Sequence, residues 1–209
     1  MKTALIVDNR LCDDLTASIK SHMNFLTGWK LLHVVDQKIS TFEDYQLLFL
    51  DYKFWESLGL KKVLVFQKDS EIIRPGIEYF WNTPYSFVGA PWIKDAPWNT
   101  RDRKGGNGGI SIRDIDQHIA VLKKNPVEEI LAKHKEMLLK IGLNKPIGKG
   151  LSEDVWLSHN LENVAPYDVS KNFSVESDFK LGTVCAHAID RHLTKKQCLM
   201  IRNQYKKIL

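Results

Sequence analysis

Five short stretches carry residue types that can do chemistry. The first is the apolar run Val63–Phe66, which ends in Gln67-Lys68-Asp69-Ser70. An acid beside a hydroxyl at the end of a strand can hold a divalent cation through oxygen, a preference that suits Mg²⁺ or Mn²⁺. Such a cation stabilises a diphosphate as a leaving group. The plainer reading is that Asp69 caps the next turn. The second stretch is "VGAPW", Val88–Trp92, where a glycine allows close backbone approach, a proline stiffens the loop, and Trp92 either stacks on a ring or fills the core. The third is "GGNGGISIR", with four glycines (Gly105, Gly106, Gly108, Gly109) around Asn107, then a strand-like alternation ending in Arg113. It admits positive φ and a bulky ligand such as a sugar or phosphate. It is neither a Walker loop nor a dinucleotide fingerprint, because the lysine-serine/threonine pair and the required spacing are missing.

The fourth stretch, "LSEDVWLS", places Glu153 and Asp154 side by side before an apolar run. They are either first-turn acids of a helix capped by Ser152 or a general base that removes a proton from a hydroxyl. The fifth, "LGTVCAHAID", ends a run of small residues at His187. A histidine there is either structural or a metal ligand that the fold brings to Asp69.

Those residues need elements to position them. Ala4–Val7, Trp29–Val35 and Val63–Gln67 read as buried strands. Between them, Leu15, Ile19, Met23 and Leu26 have helical spacing, Thr41 with Asp44 approximates a capping box, and Asp51 opens a short helix that Gly59 can end. Strands separated by helices predict an α/β fold with a mostly parallel central sheet, whose carboxyl ends carry the ligand site. The stretch from Tyr85 to Gly109 reads as loop-rich, Asn125-Pro126 as a helix start, "NKPIGKG" (residues 144–150) as a linker, and Thr194 as the cap of a last helix.

Composition bounds the function without deciding it. The chain has 209 residues, 26% of them charged, and a net charge of +5 spread without a basic run. That balance suits an anionic ligand. Nucleic-acid binding rests only on this charge and on exposed aromatics, and is not expected. Three cysteines with no CxxC pair argue against a disulfide framework or a thiolate zinc site. "MKTALIVDNR" is too short in its apolar run for a signal peptide, and no run approaches a membrane span, so a cytoplasmic protein is expected.

The order of the motifs is more specific than any one of them. "YQLLFLDYKFWESLGLKKVLVFQKDS", "FVGAPW", "GGNGGISIR", "SEDVW", "NFSVES" and "LGTVCAH" follow one another from Tyr45 to His187. This series resembles a family of GT-A-type glycosyltransferases, including sugar-transferase domains of algal-virus enzymes that build capsid glycans; for a viral chain the compartment would be the host cytoplasm. The resemblance implies one GT-A-like, Rossmann-like domain over residues 1–209. Its nucleotide-sugar half would be 1–100, its acceptor and catalytic half 101–193, and its C-terminal helix 194–209.

The resemblance further implies a nucleotide-diphosphate sugar donor, a UDP-sugar in the first place, a glycan or glycoprotein acceptor, and Mn²⁺ or Mg²⁺. Asp69 falls at the final acid of the family's Asp-x-Asp motif, Gln67 stands where its first acid would be, and His187 matches a late histidine. Asp69 and His187 are thus the expected metal ligands. Asp8, Asn9 and Arg10 would lie near the nucleotide base. Gln67, Lys68, Trp92, Gly106, Asn107, Gly108, Gly109 and Arg113 would complete the donor site, and Asp154, or less readily Glu153, would be the base. A catalytically inactive nucleotide- or sugar-binding module is the alternative, favoured by the missing first acid. A nucleotidyltransferase is disfavoured, because no Gly- and Lys/Arg-rich loop follows the first strand.

Overall fold

A computed structural model describes residues 1–99, 102, 104–140 and 152–204. The expected linker at 144–150 lies outside the described residues, as do residues 205–209 of the expected C-terminal helix. The chain runs β1 (Thr3–Val7), α1 (Asp13–Phe25), β2 (Lys30–Val34), α2 (Phe42–Phe49), α3 (Tyr52–Ser57), β3 (Lys62–Phe66), β4 (Ser70–Ile72), α4 (Ile77–Trp81) and β5 (Phe87–Ala90). It continues through β6 (Asn107–Asp114), α5 (Ile115–Lys123), α6 (Val127–Lys140), α7 (Glu153–Asn160), α8 (Tyr167–Phe173), β7 (Ser174–Val175), β8 (Cys185–His187), α9 (Ile189–His192) and α10 (Lys195–Asn203).

The central sheet has the order β2-β1-β3-β6-β5. β1 runs parallel to β2 and β3, while β6 is antiparallel to both β3 and β5, so β6 alone opposes the common direction of this sheet. Side chains of a strand alternate between faces, and here both faces are covered. Ala4, Ile6, Leu64, Phe66, Ile110 and Ile112 pack toward Leu15 of α1 and Phe80 of α4. Leu5, Val7, Val63, Val65 and Phe87 pack toward Phe49, Trp55, Ile115 and Trp156 on the other side. Burial on both faces is why β1 and β3 read as continuous apolar runs.

Local chemistry sets the helix ends. Thr41 with Asp44 and Thr194 with Gln197 form capping boxes, and Asp51 accepts a hydrogen bond from the Lys53 N–H. The region read as loop-rich contains β5, and the glycine stretch opens β6 rather than a loop. No helix among the described residues is long and apolar enough to cross a membrane.

A small second sheet, β4-β8-β7, positions the site. β4 and β8 pair antiparallel with Ser70 opposite His187, and the Ala188 N–H donates to the Asp69 carbonyl at 2.9 Å. This pairing carries His187 to Asp69, in the turn that follows β3.

Candidate active site

Asp69 occupies the turn between β3 and β4, closed by a Ser70 N–H to Gln67 carbonyl bond of 3.0 Å. Its Oδ1 lies 3.3 Å from His187 Nε2, and Gln67 Oε1 lies 3.1 Å from the same nitrogen. The other ring nitrogen, Nδ1, is 3.1 Å from Glu176 Oε1, just past β7. The imidazole can lie this low over β6 because residue 109 is glycine: a Cβ there would stand 2.1 Å from His187 Nε2. Burial opposes charge on His187, but the flanking carboxylates Asp69 and Glu176 outweigh it and raise its pKa to about 9. The hydrogen bond from His187, against the effect of burial and with help from Arg191, lowers the Asp69 pKa to about 2. The chain then turns sharply at Ala188, a non-glycine residue at φ 47°, and brings Arg191 Nη2 to 2.8 Å from Asp69 Oδ2.

A second cluster joins α7 to β6. Asp154 Oδ2 accepts from the Gly108 N–H at 2.9 Å, and Oδ1 accepts from the Val155 N–H at 2.7 Å. Burial, and then the charge of Glu153, raise the Asp154 pKa to about 7, although the Gly108 hydrogen bond opposes the shift. Glu153 itself is gripped by Arg113 through two hydrogen bonds of 2.8 and 3.0 Å. Ser152 sits at the helix N-cap without a side-chain capping bond; the Glu153 N–H donates instead to Gln46 Oε1 at 2.6 Å.

Both clusters face one cavity of about 520 Å³, within the usual range for small-molecule sites. Of the residues singled out in the sequence, Gln67, Trp92, Asn107, Gly108, Gly109, Glu153, Asp154 and His187 line it. Asp69 stands behind His187 and reaches the cavity through it and Arg191. The remaining expected donor contacts lie off the cavity wall. Asp8 and Arg10 pair with each other, and Asn9 donates to the Asp36 carbonyl at 2.6 Å, bracing the ends of β1 and β2. Lys68 Nζ is 3.6 Å from Asp14, and Gly106 turns toward the Ala90 backbone, whose oxygen would lie 2.1 Å from an added Cβ.

Arg113 is a correction. It is 0% exposed, and its donors reach Glu153, Ser111 and Gly108. Its guanidinium carbon lies 4.9 Å from the Phe49 ring centre and 5.3 Å from that of Phe87. It supports the wall from behind, with its donors taken up by the protein itself. Glu176 and Arg191 were not singled out. Glu176 lies inside "NFSVES", but its role depends on the long-range pairing of β7 with β8. Arg191 sits among charged residues of the short helix α9, with no motif of its own to mark it.

The family model described as "Protein of unknown function (DUF5672)" matches residues 28–188, which take in both clusters apart from Arg191. The chain belongs to this family. No curated protein matches the DUF5672 chain in sequence. Among solved structures, it is similar to the galactosyltransferase LgtC in complex with donor and acceptor sugar analogues, at 8% identity and TM-score 0.50, with 100% of each chain covered. It is similar to an active-site mutant of LgtC at 9% identity and TM-score 0.53, again with 100% of each covered. A glycosyltransferase involved in glycosylation of the major capsid of PBCV-1 matches at 10% identity and TM-score 0.43, covering 92% of this chain and 100% of that one. At such identities the LgtC likeness is one of fold, and the fold is GT-A.

Proposed function

We propose that this DUF5672 chain is a metal-dependent glycosyltransferase that moves a sugar from a nucleotide-diphosphate sugar, a UDP-sugar above others, to a hydroxyl of a glycan or glycoprotein. The observation that carries the reading is the convergence of Asp69 Oδ1 and Gln67 Oε1 on His187 Nε2, at the carboxyl end of β3 and beside a cavity that also receives Asp154. Among the described residues, no three His, Cys, Asp or Glu side chains gather as a complete metal cage. The donor set is instead one carboxylate, one amide oxygen and one imidazole. The imidazole nitrogen stands 3.1 and 3.3 Å from the two oxygens, so these three side chains would hold a cation that also takes substrate phosphate oxygens. Mg²⁺ is commonly held by one or two carboxylates together with substrate phosphates. Glu176 behind His187 is the carboxylate that orients a ligating imidazole. In the free chain, protonated His187 supplies the positive charge between the two oxygens. When bound, the cation supplies charge that stabilises the departing diphosphate.

Asp154 is the side chain best placed to take a proton. Two backbone N–H groups fix it, and a pKa of about 7 makes it a stronger base than an ordinary carboxylate while leaving much of it ionised at neutral pH. In the transfer, an acceptor oxygen bonds to the anomeric carbon and the bond from that carbon to the diphosphate breaks. The electron pair leaves with the diphosphate, and the acceptor proton passes to Asp154. Glu153 is committed to Arg113 and is not available for this role. Trp92, Ile93 and Trp98 give the cavity an apolar side suited to the C–H face of a sugar.

The test is release of the nucleoside diphosphate from a panel of nucleotide sugars, with Mn²⁺ or with chelator. Mn²⁺-dependent release with a UDP-sugar is expected. Binding of UDP without turnover of any sugar donor would favour the inactive binding module.

A further inference from the structure

Both oxygens of Asp69 are engaged in the free chain. Oδ1 faces His187, and Oδ2 holds Arg191 Nη2 at 2.8 Å. Arg191 is nevertheless 70% exposed and lines the cavity. Its position follows from the turn at Ala188, whose N–H is bonded to the Asp69 carbonyl and whose carbonyl accepts the Arg191 N–H, both at 2.9 Å. The backbone thus fixes the start of the Arg191 side chain, while its charged end stays in reach of solvent and ligand.

We propose that Arg191 exchanges partners: it neutralises Asp69 in the free chain and transfers to the donor's diphosphate when the cation takes Asp69. The inference rests on the donor reading given above. A guanidinium on Asp69 repels a divalent cation at the same carboxylate. A diphosphate offers that guanidinium a second anionic partner of matching fork geometry, at which charge-assisted pairs are strong. Arg191 therefore makes cation and diphosphate binding cooperative. Each ligand helps the other by the same factor, because coupling between binding sites is reciprocal.

The exchange predicts effects of opposite sign from one substitution, which a merely structural arginine would not produce. Calorimetric titrations of wild type and Arg191→Ala would use Mn²⁺ alone, UDP alone with chelator, and Mn²⁺ in saturating UDP. Arg191→Ala should bind Mn²⁺ alone several-fold more tightly. It should bind UDP alone about tenfold more weakly, the effect of losing one charge-assisted pair. The factor by which UDP tightens Mn²⁺ should shrink. Arg191→Lys, which keeps the charge without the fork, should fall between. Mn²⁺ affinity that is unchanged or lower in Arg191→Ala, or unchanged UDP affinity, overturns the exchange while leaving the donor reading intact. Wild-type protein that binds neither Mn²⁺ nor UDP overturns both.

Discussion

Arg113 Nη2 lies 2.8 Å from Glu153 Oε1, and the two side chains are 0% and 3% exposed. Taking such charges out of water is costly, and what offsets it is complete pairing. A second hydrogen bond of 3.0 Å and the surrounding aromatic rings supply that pairing here. Removing one partner leaves the other buried and uncompensated. Glu153→Gln and Arg113→Met should each lower stability by about 3–5 kcal/mol, read by urea unfolding. The double variant should lose clearly less than the sum. Strict additivity would mean that the pair does not act as a unit.

Gly108 tests what the glycine stretch is for. A Cβ at residue 108 would stand 2.5 Å from Arg113 Nη2 and 2.9 Å from Glu153 Oε1. The glycine makes room for the chain's own ion pair. Gly108→Ala should therefore lose about 1–3 kcal/mol, the usual penalty of overpacking. A folded variant with wild-type melting and lost ligand binding would restore the ligand-approach reading.

The raised pKa of Asp154 gives two pH signatures. The rate of transfer should rise with pH through about 7 as the base ionises. The Asn variant at this position should lose that limb, with transfer lower by about 10²–10⁴-fold. Because the folded pKa lies above that of an unfolded Asp, the folded state binds more protons between pH ~4 and ~7. This group therefore lowers stability as pH rises through that window, and Asp154→Asn should flatten the fall. Unchanged turnover in the variant would assign the proton to the leaving phosphate, as on a front-side retaining route.

The parts of this site that sequence reading recovers are those with local causes. β1 and β3 are continuous apolar runs because both faces are covered, and Thr41 and Thr194 announce their helices through side-chain caps. Asp69 just past a strand and Asp154 in the first turn of a helix are visible for the same reason. Convergence of Asp69 with His187 depends on β4 pairing with β8 across most of the chain, and only motif order hinted at it. Arg113 misleads because arginine is rarely buried. The alternation in "GISIR" does put residues 109, 111 and 113 on one face and Ile110 with Ile112 on the other, but not that both faces are covered. Glu176 lies in a bend just past β7 and Arg191 in the four-residue helix α9, both too short to give a periodic signal.

The most direct measurement of the metal–donor account is the melting temperature of wild type and Asp69→Asn with UDP, in Mn²⁺ or in chelator. UDP at about 100 times its dissociation constant should stabilise wild type by about 2.7 kcal/mol. That gain should be much smaller in chelator, and Asp69→Asn should lose most of the Mn²⁺-dependent part. No stabilisation of wild type by any nucleoside diphosphate, or an equal Mn²⁺-dependent gain in Asp69→Asn, would contradict the assignment of Asp69 to the donor's metal.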